Sequence, residues 1–151
     1  MDLSPGTSSA YAHKAFDALL AVADRLGDEL VNERPLTDQT NSVAGLIVHC
    51  CGVSEFWLGH VGVGRPDHRQ RELEFTSERT VADLHELVAS TVAQLDADLH
   101  ALAEGATSPY SEARAFLDGD TDSPASLVVH VLEELYQHLG HCEITADALL
   151  G

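Results

Sequence analysis

The chain has 151 residues, of which 44% are hydrophobic, and a formal net charge of −17 from 25 acidic and eight basic side chains. This size and composition predict one globular domain with its own core. The acidic balance argues against nucleic acids and anionic membrane surfaces as partners, because both bind proteins chiefly through Lys and Arg. No apolar run reaches the roughly 18 residues of a membrane span, and the N-terminus does not resemble a secretion signal, so we expect a cytoplasmic location.

Four long stretches have helical periodicity, and none has the alternating pattern of a strand. Capping residues indicate where these helices begin and end, notably a proline in the first helical position of the fourth. In chain order the stretches cover about His13–Val31, Asn41 or Ser42 to the GVGRP sequence at 62–66, Thr80–Gly105, and Ser123 to about Leu150.

The linkers at 64–79 and 105–122 are long, and we predict a short helix in the second, from about Glu112 to Leu117. Connections of this length suit a bundle with crossover loops better than a minimal up-and-down arrangement. We therefore predict an all-α, four-helix bundle, with residues 1–151 forming one domain.

The fourth helix carries the polar sequence HVLEELYQHLGH at 130–141. On a helical wheel, Glu134 and His138 fall at the edge of the apolar arc, whereas His130 and His141 point away from it. Glu134 and His138 are four residues apart, which places their Cβ atoms roughly 5–6 Å from each other. Such a pair could bind one metal ion, although on its own it more often only stabilises a helix.

The second helix contains a histidine in an apolar environment. On the wheel His49 lies among Leu46, Val53 and Phe56, where an imidazole is costly to bury unless its nitrogens find partners. One interpretation is a core histidine bonded to a carbonyl or carboxylate; the other is a third metal ligand facing Glu134 and His138. His60 lies on a similar face three turns later and is a weaker competitor for that role.

Half of the basic residues fall within fifteen positions of the first linker, at Arg65, Arg69, Arg71 and Arg79. The simpler interpretation is a solvated loop whose arginines pair with nearby carboxylates. Alternatively, Arg65, Arg69 or Arg71 binds a carboxylate of a cofactor or substrate. The chain also has three cysteines, which we expect to be reduced and buried as small apolar side chains.

Three motifs in the same order resemble the DinB-like superfamily, in particular its actinobacterial branch. They are SVAGLIVHCCGVSEFWLGHVGVGRP, RQRELEF and HVLEELYQHLGHCEITADAL. The resemblance implies a four-helix bundle that binds a divalent metal through one His on the second helix and two ligands four apart on the last. In the mycothiol-dependent maleylpyruvate isomerase group the first of those two is Glu, so the implied ligands are His49, Glu134 and His138. His130 and His141 are then neighbours of the ligands.

The resemblance also implies a metal-dependent S-transferase that joins a low-molecular-weight thiol, such as mycothiol, bacillithiol or glutathione, to a small electrophile. Zinc is the first expectation for the metal, with nickel, iron or manganese as alternatives. Homodimerisation through an outer helix face is compatible with such a bundle. The maleylpyruvate reaction itself is not expected, because the isomerases' second domain has no counterpart here and GHCEITAD lacks their following arginine.

Two other functions remain compatible with the same residues. A metal-dependent hydrolase would use the open metal position to activate water instead of a thiol. A non-catalytic bundle would bind metal, or a protein partner, as a stress or regulatory module. The absence of a cavity beside His49 would favour that last alternative.

Overall fold

The computed structural model describes residues 4–36, 40–109 and 123–151. All regular structure in these ranges is helical, which confirms the predicted all-α bundle. The helices are α1 (Pro5–Leu30), α2 (Val43–Ser54) with a π-helical continuation (Glu55–Val63), α3 (Arg71–Glu74), α4 (Val81–Ala103) and α5 (Pro124–Leu150).

Helix α1 begins earlier than its apolar pattern indicates, at Pro5 instead of about His13. The segment SPGTSSAYA contains residues typical of turns, but Ser4 acts as N-cap and its side chain accepts a hydrogen bond from the Thr7 amide. Proline in the first helical position costs no hydrogen bond, since the first turn's amides have no helical partner. Near its other end the helix is kinked at Gly27, where φ is 64°.

Helix α2 begins after Ser42, one of the two predicted N-caps, and continues into the π-helix without a break. The combined stretch Val43–Val63 is 21 residues long and apolar enough to cross a membrane by length and composition. Most of its apolar window is buried within the bundle, which is the pattern of a core helix. Gly64 ends it in the left-handed conformation, at φ 90°.

The remaining predicted boundaries are close to those of the structure. Thr80 caps α4 in a reciprocal capping box with Asp83, and Gly105 follows its end with φ 92°. Ser123 caps α5 and Pro124 is its first residue. The first linker, expected to be non-helical, contains the single turn α3, while the short helix predicted at 112–117 lies outside the described residues.

The bundle forms because each long helix buries an apolar face against two neighbours. Helix α1 packs mainly on α4 and α5, and α2 packs between α5 and α4. Burial of these faces supplies most of the favourable free energy of folding. The largest fully buried side chains are Phe16, Leu19, Leu46, Ile47, Leu58, Leu84, Leu127 and Leu135. The packing of α2 against α5 brings His49 to the HVLEELYQHLGH segment.

Candidate metal centre

His49 lies near the middle of α2 and is 5% exposed. Its Nδ1 is 2.7 Å from Glu74 Oε2, and its Nε2 is 3.6 Å from Glu134 Oε2 on α5. Both alternatives left open by the sequence therefore have a structural counterpart. One ring nitrogen is satisfied by a buried carboxylate, and the other faces the two residues of the last helix.

Glu134 and His138 lie one turn apart on α5, with Glu134 Oε2 3.4 Å from His138 Nε2. The rings of His49 and His138 meet edge to face, with centroids 4.8 Å apart. One ligand atom from each of His49, Glu134 and His138 can be chosen so that all three lie within 4.8 Å of one another. Ligands bound to zinc at about 2.0–2.2 Å in a tetrahedral arrangement would be roughly 3.4 Å apart, so small adjustments would bring the three around one ion.

The hydrogen bonding of His138 also fits a ligand. Its Nδ1 is buried without a hydrogen-bond partner among the described residues. The distance of 3.4 Å from Nε2 to Glu134 Oε2 is longer than that of an ordinary N–H···O hydrogen bond. Burial, reinforced by the neighbouring His49, lowers the pKa of His138 in spite of the opposing effect of Glu134. A lowered pKa favours the neutral imidazole, which is the form that binds metals.

The donor set of two imidazoles and one carboxylate suits Zn²⁺ and other first-row divalent ions. Three protein ligands leave at least one coordination position for water or substrate, which is typical of catalytic sites and not of closed structural ones. The residues present therefore fit a divalent metal on the chemistry of the donors as well as on their spacing.

A cavity of about 400 Å³ opens beside this cluster. His49 and Glu134 line it, so two of the three candidate ligands are reached from the cavity. Its apolar wall comes from α2 and the π-helix, and its polar wall comes from the first linker and α5. The remaining lining residues are Val53, Phe56, Trp57, Asp67, Arg69, Arg71 and His130.

The three candidate arginines occupy different positions. Arg65 is not among the residues that line the cavity, and its guanidinium binds both carboxylate oxygens of Asp98 on α4. Arg69 lines the cavity but is bound to both oxygens of Glu74. Arg71 lines the cavity and is exposed. The pairing of arginines with nearby carboxylates is therefore observed for Arg65 and Arg69, and Arg71 is the best placed of the three to contact a ligand.

The outlying histidines of α5 are also close to the site. His130 does not point away as the wheel indicated: it lines the cavity, with its ring edge-on to Trp57 at 4.8 Å. The expectation was wrong because the cavity opens at the flank of the apolar arc, one turn before Glu134. His141 is exposed and stacks beside His138 at 6.3 Å. His60 lies elsewhere, with Nδ1 2.8 Å from the carbonyl oxygen of Arg65.

Glu74 was not identified from the sequence, although the pairing of the linker arginines with nearby carboxylates was predicted. Glu74 and Arg69 both belong to RQRELEF, a motif of the resemblance to which the implied metal-ligand pattern assigns no residue. Glu74 is 5% exposed, although it follows three exposed residues in the short α3 turn. Burial alone would raise the pKa of Glu74, but hydrogen bonds from His49 and Arg69 outweigh it and hold the pKa below its usual value. The carboxylate is therefore ionised at neutral pH.

Comparison with known proteins agrees with the three motifs. The family model described as mycothiol-S-transferase matches residues 8–151. Neither the curated proteins nor the solved structures contain a match to the chain. The matched segment includes every candidate ligand and all of the long helices except the first three residues of α1. The chain therefore belongs to the mycothiol-S-transferase family, within the DinB-like proteins.

Proposed function

We propose that the protein is a divalent-metal-dependent S-transferase that joins the sulfur of mycothiol to an electrophilic carbon of a small substrate. The observation that carries the proposal is the meeting of His49, Glu134 and His138 beside a cavity that two of them line. The family match supports the thiol, and the donor set supports the metal, with zinc as first choice.

The charges of the ligands favour this chemistry. Metal ligation requires an ionised carboxylate and neutral imidazoles, so Glu134, His49 and His138 around a divalent ion would leave one net positive charge. A metal held there would lower the pKa of a bound thiol and keep it as thiolate. The S–H proton would leave to solvent, the sulfur would form a bond to the electrophilic carbon, and the electrons of the bond between that carbon and the leaving group would depart with the leaving group.

The two walls of the cavity differ in polarity, and each suits one of the two reactants. Val53, Phe56 and Trp57 form an apolar surface for the body of the electrophile and exclude water from the sulfur. Arg71 and Asp67 lie among the polar lining residues, where they can bind charged or hydroxyl groups of the thiol. The volume of about 400 Å³ lies within the roughly 300–1,000 Å³ range of small-molecule sites.

The cavity also counts against a non-catalytic bundle, because such a bundle would need no cavity beside His49. A hydrolase would use the same metal position and is distinguished by experiment. In that case ester or amide cleavage would depend on the metal and be indifferent to added thiol.

The test compares wild type with His49→Ala and with His100→Ala, an exposed histidine of α4 whose side chain is 73% accessible. Metal content is measured after purification without a histidine tag. Conjugation of an aryl chloride is then followed with and without mycothiol. We expect metal and mycothiol-dependent conjugation in wild type and His100→Ala, and neither in His49→Ala. Equal metal in all three proteins would rule out the ligand set, and metal without thiol-dependent turnover would rule out the transferase.

A further inference from the structure

We propose that Glu74 is a positioning residue for the metal site, which fixes His49 in the tautomer that presents Nε2 toward Glu134 and His138. In this arrangement Arg69 anchors the Glu74 carboxylate and Gly52 leaves the space for it. The inference rests on the metal site of the proposed function. It adds a residue from the linker to a site otherwise built from two helices.

The hydrogen-bond geometry determines the tautomer. Glu74 Oε2 and His49 Nδ1 are 2.7 Å apart, a distance that requires a proton between them. Both oxygens of the Glu74 carboxylate accept hydrogen bonds from Arg69, so Nδ1 supplies the hydrogen of the His49–Glu74 bond, and in the neutral imidazole Nε2 then keeps its lone pair. Arg69 Nη2 also lies 3.3 Å from Nδ1. With the hydrogen on Nδ1, that longer contact joins two donors. The shorter contact between Nδ1 and Glu74 Oε2 therefore determines the tautomer.

The carboxylate itself is held on its other side. Arg69 Nε donates to Oε1 at 2.6 Å and Nη2 donates to Oε2 at 2.9 Å, so both oxygens are engaged. The side chains of His49 and Glu74 are each 6% exposed, and that of Arg69 is 12% exposed. Water therefore contributes little to this network, and each group depends on the others for its hydrogen bonds.

The backbone on both sides of the network accommodates this arrangement. A Cβ placed on Gly52 would collide with Glu74 Oε1 and would lie 3.1 Å from Arg69 Nε, so only glycine fits there without displacement. Phe75, the next residue after Glu74, packs against the His49 ring with centroids 4.7 Å apart. The Glu74–Phe75 segment thus restrains the imidazole both in its plane and over its face.

Histidines that ligate metals usually donate their other N–H to a carboxylate or carbonyl, and loss of that partner typically weakens metal affinity by about 10- to 100-fold. The competing role for Glu74 is that of a buried counterion that ties Arg69 to the bundle. That role predicts a loss of stability without any change in the metal site.

The test is Glu74→Gln, with Glu72→Gln as matched control on the exposed part of the same turn. The amide cannot satisfy His49 and both Arg69 donors together, because one of its two positions is itself a donor. We expect Zn²⁺ affinity, measured by competition with a chromophoric chelator, to fall by about 10- to 100-fold in Glu74→Gln only. The visible spectrum of bound Co²⁺ should change in the same variant, and circular dichroism verifies that both proteins are folded.

Gly52→Ala supplies the second variant in case Glu74→Gln does not fold. Alanine favours a helix more than glycine does, so the change disturbs the carboxylate while supporting α2. We expect weaker Zn²⁺ binding and an altered Co²⁺ spectrum here too. Wild-type affinity and spectrum in either folded variant would overturn the positioning role while leaving the proposed function intact. A wild-type protein that binds no metal would overturn both.

Discussion

Replacement of Arg65 by methionine should destabilise the protein and leave its metal site intact. Arg65 Nε and Nη2 donate to the two carboxylate oxygens of Asp98 at 3.0 and 2.7 Å. The Asp98 side chain is 2% exposed, so this pair fixes the end of the π-helical segment to α4. Gly59 makes the approach possible, because a Cβ at that position would collide with the guanidinium.

The expected magnitude follows from the charge that would remain buried. Removal of one partner of a buried ion pair usually costs about 3–5 kcal/mol. Two features reduce this value: Arg65 is 32% exposed, and Gln94 Nε2 still donates to Asp98 Oδ1 at 3.1 Å. We therefore expect a loss of about 3 kcal/mol. For a domain of this size each kcal/mol lowers Tm by about 2–4 °C, which gives a fall of roughly 6–12 °C.

Urea unfolding measures the loss, and Arg25→Met provides the control. Arg25 pairs with Asp147 at 2.8 Å, but both side chains are exposed, so its removal should cost less than about 1 kcal/mol. Metal content and the KM for mycothiol should be unchanged in both variants. A stability loss for Arg65→Met no larger than that of the control, together with a raised KM, would instead identify Arg65 as a ligand-binding arginine.

Burial raises the pKa of Cys51 and of Cys142 to about 12, so a disulfide reagent should modify them slowly at about pH 8 in the native protein and rapidly in urea. Thiols of the unfolded chain ionise near pH 8.5, so the contribution of the buried thiols to the free energy of unfolding is fully present below that pH. It is lost as the pH rises toward 12, and the loss is measured as a lower urea midpoint. Thr80→Ala should remove the α4 capping interaction at a cost of about 1 kcal/mol, or roughly 2–4 °C in Tm. Chelation should lower the Tm of wild type but not of His49→Ala, because a bound metal stabilises only the folded state.

Short sequence patterns predicted most of the helices of the fold. Capping residues and apolar stripes act within one or two turns, so Ser42, Thr80 and Ser123 predicted their helices correctly. The early start of α1 was missed because proline and serine favour turns as well as the first turn of a helix. The π-helix was missed because a wheel drawn at a fixed 100° per residue assumes regular α-helical geometry.

The site could be predicted where a polar residue lies on or beside an apolar helix face. Glu134 and His138 are polar at the edge of an apolar face, and His49 is polar within one, so each required a partner. His130 was expected to point away from the apolar arc, as a neighbour of the ligands or toward solvent, because only its angle from the centre of the arc was considered. It lies one turn before Glu134 and about 40° from it on the wheel, which is close enough to share a cavity at that edge.

Glu74 had no signal of its own, because an acidic residue in a charged linker is normally on the surface. The indication lay 22 positions earlier, in Gly52. Glycine weakens a helix interior, and Gly52 is the one glycine of α2 beyond its first turn, in a largely apolar run where alanine or a larger residue would be expected. The structure explains the exception, since the missing Cβ is the space that the Glu74 carboxylate and the Arg69 guanidinium occupy. An unexplained glycine beside a buried histidine is thus a reason to look for a charged group from elsewhere in the chain, and Gly52→Ala tests that reasoning directly.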